Sequence, residues 1–127
     1  MILYNATTEG ITITVRPVYL DHESDMLARR FVFAYFISIA NNTDEEVQLL
    51  RRRWSIRENT GRLQEVEGEG VIGEQPVIQP GKAHEYNSFC VLASFEGKME
   101  GDYLMQRPNG DRFRVVIPQF LLKAGVN

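Results

Sequence analysis

One cysteine, Cys90, and two histidines, His22 and His84, are all that this 127-residue chain offers in thiol and imidazole chemistry. A lone thiol forms no internal disulfide, so a scaffold stapled for an oxidising compartment is excluded. A closed transition-metal site needs about four ligands, and three soft donors spread over distant segments do not supply them. Basic charge is not in excess either. The formal net charge of −3 repels a phosphate backbone, which argues against a nucleic-acid partner. No apolar run approaches the roughly 18 residues of a membrane span, so membrane insertion is not expected. The opening Met1-Ile2-Leu3-Tyr4-Asn5 has neither the basic segment nor the apolar core of a secretory signal, and a cytoplasmic home is the expectation.

Amphipathic helices of any length are also missing, because the apolar period is two almost throughout. Ile11, Ile13 and Val15 alternate with Thr12, Thr14 and Arg16, as a half-buried strand requires, with Pro17 marking its edge or its end. Phe31 to Ile39 is aromatic and β-branched, the composition of a central strand. Asn41-Asn42-Thr43-Asp44 is turn chemistry and predicts a hairpin into a strand over Val47 to Ile56. On that strand Leu50, Arg52, Trp54 and Ile56 form one face, and Val47, Leu49, Arg51 and Arg53 the other. Arg62 to Glu67 returns as a short polar edge strand. His84, Tyr86, Ser88 and Cys90 share one face of a further strand, and Asn109-Gly110 signals a tight hairpin before a last strand ending at Pro118. Seven to eight short strands punctuated by turns make one domain over 1–127. The fold class is all-β, an antiparallel sandwich of the immunoglobulin-like kind.

Gly68-Glu69-Gly70-Val71-Ile72-Gly73 spells a dinucleotide fingerprint in the wrong context. The pattern grips a pyrophosphate only where a strand enters it and a helix leaves it. Pro76 and Pro80-Gly81 follow at once, and no helix starts there. In a sandwich the same glycines permit left-handed backbone or the close approach of another segment.

The glycine stretch with its trailing Glu74-Gln75-Pro76, followed by Pro80-Gly81, Tyr86, Ser88, Cys90, Gly97, Met99, Gly101, Tyr103 and Met105, resembles the ApaG family. Matches at Ile13 to Tyr19, Phe33-Ala34-Tyr35, Leu49-Leu50, Arg52, Trp54 and the closing Phe113 to Phe120 extend the resemblance over nearly the whole chain. Phe89 stands where the family often has glycine. The resemblance implies a fibronectin type III-like sandwich, found alone in bacteria and inside some eukaryotic F-box proteins. It also implies an association with cobalt and magnesium resistance or efflux, without an established biochemical activity.

Three constellations carry candidate chemistry. Alternation sends Arg52 to the face of Trp54, where it could clamp a phosphate or carboxylate, pair with Glu67 or Glu69, or lie along the indole. The acidic loop containing Asp21, His22, Glu23 and Asp25 has the oxygen donors that a hard divalent ion prefers, but lacks the spacing of a calcium loop. Cys90 with His84 as base fails on distance, since six strand residues at about 3.3 Å each separate them. No catalytic residue is assigned and no enzyme or cofactor is expected. Val71, Ile72, Val77 and Ile78 would offer an apolar interaction patch beside an open strand edge. The expected function is a non-catalytic module that binds a protein partner not identified by the residues, with a homodimer through an exposed edge as one form of it. The alternative is a small-ligand sensor. It would hold a nucleotide phosphate through Gly68, Gly70, Gly73 and Arg52, or a divalent metal ion through the acidic loop.

Overall fold

Apolar–polar alternation builds two antiparallel sheets that pack face to face in a computed structural model, which describes residues 2–125. Among those residues nine strands follow one another. They are β1 (Tyr4–Thr8), β2 (Ile11–Tyr19), β3 (Phe31–Asn41), β4 (Val47–Glu58), β5 (Leu63–Glu69), β6 (Val77–Ile78), β7 (Ala83–Leu92), β8 (Glu96–Gln106) and β9 (Arg112–Lys123). The first sheet runs β1-β2-β3-β7; the second runs β5-β4-β8-β9, with β6 on the end of β4. The all-β sandwich expected from the pattern is present. The strands that the pattern did not reveal are the polar β1 and the two-residue β6, neither of which carries an apolar alternation.

Inward residues of both sheets make one core. Phe33, Ile37 and Ile39 of β3 meet Leu49, Tyr103, Met105 and Phe120 of the second sheet, all essentially without solvent contact. Trp54 joins a cluster of rings, its own 5.4 Å from Tyr35, 6.0 Å from Phe120 and 6.5 Å from Tyr103. Edge-to-face geometry of this kind adds to the area that the rings bury.

Two bulges correct the faces drawn from simple alternation. Leu49 pairs with Met105 but Arg51 pairs with Leu104, so Leu50 is an extra residue on β4. That residue flips the parity, and Val47 and Leu49 point inward together with Trp54 and Ile56 rather than to the opposite face. Strand β9 does not end at Pro118. Its register shifts between Ile117 and Phe120, leaving Pro118 and Gln119 in a bulge, after which Phe120 and Leu122 are again buried. A bulge spares Pro118 the ladder donor that it lacks.

The turn at Asn41 is likewise not a hairpin, because β3 and β4 belong to different sheets. The crossover is held by the buried Asn41 side chain, whose Nδ2 donates to the carbonyls of Glu45 and Ile78 while Oδ1 accepts from Thr43. Turn-forming residues specify a reversal, and the identity of the next strand's partner is a long-range matter.

The sandwich closes on one side and opens on the other. β1 and β2 pack against β9, where the Val116 N–H donates to Thr8 Oγ1. On the far side the sheets end in the edges of β7 and β5, which do not pair with each other. No helix among the described residues is long and apolar enough to cross a membrane.

Candidate functional site

The open side is a cleft of about 580 Å³ between β7 and the β5–glycine segment. Its floor is the Trp54–Tyr35 end of the core, and its lips are Phe89 on β7 and Ile72 on the glycine turn. Phe89 continues the β3 ladder opposite Ala34 and leaves its ring 68% exposed.

The glycine segment is a tight β-turn and holds no helix, as its prolines require. Val71 and Glu74 exchange both backbone hydrogen bonds, at 2.8 and 3.0 Å. The two central residues, Ile72 at φ 48° and Gly73 at φ 74°, are both left-handed, which defines a type I′ turn. Such turns favour Asn-Gly, and a β-branched residue there is strained. Ile72 is nonetheless 64% exposed at the turn's tip. Gly70 admits no side chain at all, since a Cβ would come within 2.0 Å of the Glu74 carbonyl oxygen. The apolar patch expected here divides in two. Val71 and Ile78 belong to the core, and only Ile72 and Val77 face solvent.

Arg52 enters the cleft from β4 beside Gly68, its partner in the β4–β5 ladder. A Cβ on residue 68 would lie 2.8 Å from the guanidinium, so glycine there makes room for it. Arg52 Nη1 donates to the carbonyls of Glu69 (3.0 Å) and Gly70 (2.9 Å). The ion pair expected with Glu67 or Glu69 is not formed: the side chain bonds main-chain carbonyls rather than either carboxylate. Its neighbours differ. Arg51 lies 3.9 Å from the Glu69 carboxylate, and Arg53 and Arg114 share Asp102. Arg52 takes part in no salt bridge among the described residues, and its Nη2 and Nε donors have no bonded acceptor there.

Three phenols stand around this cation. Tyr86 and Tyr103 share a 2.5 Å hydroxyl contact, and Tyr35 stands opposite Ser88 in the β3–β7 ladder. Burial pushes all three above the usual phenol value of 10.0, and the Arg52 charge pulls each partly back. They remain neutral donors at ordinary pH. Cys90 is pushed up to about 12, by burial first and by the Glu58 carboxylate second, which leaves it a thiol resting 3.8 Å from Met99 Sδ. A nucleophilic cysteine needs the opposite shift. Glu58 is itself buried and spent on structure, accepting from the Ala93 and Ser94 N–H groups.

The acidic loop behaves differently. Asp21, His22 and Glu23 form a single 3₁₀ turn with no buried residue, and Asp25 accepts from the Ala28 N–H. Among the described residues no three His, Cys, Asp or Glu side chains converge in a way that could hold an ion. Gly68, Gly70, Ile72, Gly73 and Arg52 are therefore brought together, with Val71 and Trp54 behind them in the core, while the proposed metal ligands are not. Tyr86, Ser88, Phe89 and Tyr35 escaped the sequence reading as site residues. The signal available was the polar alternation Tyr86, Ser88, Cys90 on a strand face that should have been apolar.

Comparison with known proteins places this geometry in context. Residues 21–107 match the ApaG domain. The chain is 44% identical over 120 residues to Protein ApaG of Brucella canis, covering 94% of this chain and 92% of that one, and equally identical to Protein ApaG of Mesorhizobium japonicum. A crystal structure of an ApaA protein from Bordetella pertussis superposes with a TM-score of 0.89 at 38% identity, covering 92% of this chain and 95% of that one.

Proposed function

The chain belongs to the ApaG family, and from that premise we propose that it is a non-catalytic binding module that recognises a protein partner in the cleft between β5 and β7. The observation that carries this reading is the pair of exposed apolar side chains on the two lips, Ile72 and Phe89, of which Ile72 is held in a strained turn. Backbone strain of this kind costs about 1–3 kcal/mol and concentrates at functional sites. Catalysis finds little support here, because the thiol is protonated and the phenols are neutral. A role in cobalt and magnesium resistance, implied by the resemblance, would then run through the partner rather than through ions held by the acidic loop.

Affinity capture with immobilised wild-type protein, Ile72→Asp and Phe89→Asp tests the reading. Both positions are exposed, so both variants should fold. Proteins retained by the wild type should be lost from both; identical sets, or none, would count against a partner site in the cleft.

One observation favours a second reading, a small anionic ligand such as a nucleotide phosphate. Arg52 is a cation without a carboxylate partner, and such a guanidinium binds phosphate oxygens well. Calorimetry with pyrophosphate and ATP would then show binding that Arg52→Ala abolishes. Absence of heat removes this reading and leaves the first untouched.

A further inference from the structure

The first sheet stops one strand short of the second on the open side. Trp54 and Ile56 of β4 are buried, whereas the inward residues of β5 beside them are not: Gln64 is exposed and Val66 half-buried. Among the described residues nothing in the first sheet lies beyond β7 to cover them. The edge of β7 is also chemically open. From Ala83 to Leu92 its backbone groups bond to β3 on one side, and among the described residues none has a partner on the other. The facing edge, β5, carries Glu65, Glu67 and Glu69, the charges that discourage edge pairing. β7 has neither proline nor bulge, and it exposes Phe89 and Val91.

Resting on the binding-module reading and narrowing it, we propose that β7 accepts an extended segment of the partner protein as a fifth, antiparallel strand, and that this segment sets an acidic side chain on Arg52. Strand addition satisfies the open main-chain groups, and inward side chains at every second position supply selectivity. The cleft is graded along its length. At the level of Cys90 it is apolar, lined by Ile56 and Met99; at the level of Tyr86 it presents the phenols and Arg52. Those levels are four strand residues apart, about 13 Å at 3.3 Å per residue. A segment antiparallel to β7 passes the Cys90 level first, so it carries an apolar residue four positions before its Asp or Glu. The two carbonyls on Nη1 fix the guanidinium plane, which leaves Nη2 and Nε to grip a carboxylate as a fork. Glycine at 68 lets the guanidinium lie against the β5 backbone, where a Cβ would collide with it.

A random peptide library displayed on phage and selected on the full-length protein tests this, followed by synthesis of the best binder with both termini blocked. Selected peptides should share an apolar residue four positions before an acid. Replacing that acid by its amide in the peptide should weaken binding about tenfold or more, as should Arg52→Gln in the protein, whereas Arg112→Gln on the outer face should not. The peptide-side change requires no folding of a variant. On binding, amide hydrogen exchange should slow along β7 and stay unchanged along the outer edge of β5. Binders that ignore the amide replacement, or leave β7 exchange unchanged, overturn the proposal. If such binders still lose affinity on Ile72→Asp, the cleft remains the binding site by another mode; if no peptide binder depends on Ile72 or Phe89, both readings fall.

Discussion

The site depends most on a few backbone positions. Gly70→Ala should cost about 2–4 kcal/mol, because it places a Cβ against the Glu74 carbonyl in a left-handed conformation. Ile72→Asn should do the opposite, since Asn-Gly is the favoured pair for a type I′ turn. Relief of β-branched strain is worth about 1 kcal/mol of stability. Denaturant titration of both variants checks these signs, and the more stable Ile72→Asn should bind the partner less well. The buried hydroxyls and thiol set the response to base. Cys90 and Tyr35, Tyr86 and Tyr103 ionise in the unfolded chain near 9.0 and 10.0 but at higher pH when folded. The folded state therefore holds more protons above those values, and stability is full below about pH 9 and falls as pH rises beyond it. Each group contributes a slope of up to about 1.4 kcal/mol per pH unit. Unfolding free energies measured from pH 8 to 11 should show this fall, and Tyr86→Phe should make it shallower.

At the scale of the element, strand parity decides what is inside. Deleting Gln119 should only straighten the β9 bulge, since Ile117 and Phe120 then stand two residues apart on one face, whereas deleting Thr14 from the regular β2 ladder should turn either Ile11 and Ile13 or Val15 and Tyr19 outward. The burial lost from β2 amounts to more than about 4 kcal/mol, enough to unfold the domain in a thermal melt. The same parity explains what was legible in the sequence. β2, β7 and the first half of β9 keep a clean alternation and β3 is a continuous aromatic and β-branched run, so all four could be read directly. β4 could be found but not oriented, because Leu49-Leu50 followed by three arginines hides the bulge that puts Leu49 and Trp54 on one side. The Asn41 turn was legible as a turn and not as a crossover, since its chemistry is local and its strand partners lie far along the chain. Arg52 and the glycines could be singled out by residue type. Their partners on β7 could not, because the meeting of β7 with β5 is produced by sheet order alone.

For the molecule as a whole, closure on one side and opening on the other is the arrangement from which function follows. β1, β2 and β9 seal one flank, and the outer face of the second sheet ties its own charges, with Asp102 held between Arg53 and Arg114. The opposite flank leaves a strand edge, two apolar lips and one cation without a carboxylate partner on a common cleft. Amide-resolved NMR of the labelled protein, titrated with a partner captured by the wild type, tests that arrangement most directly. Shifts confined to residues 64–73 and 83–92 are the expected result; a footprint on β1 and β9, or on the outer face of either sheet, would contradict it.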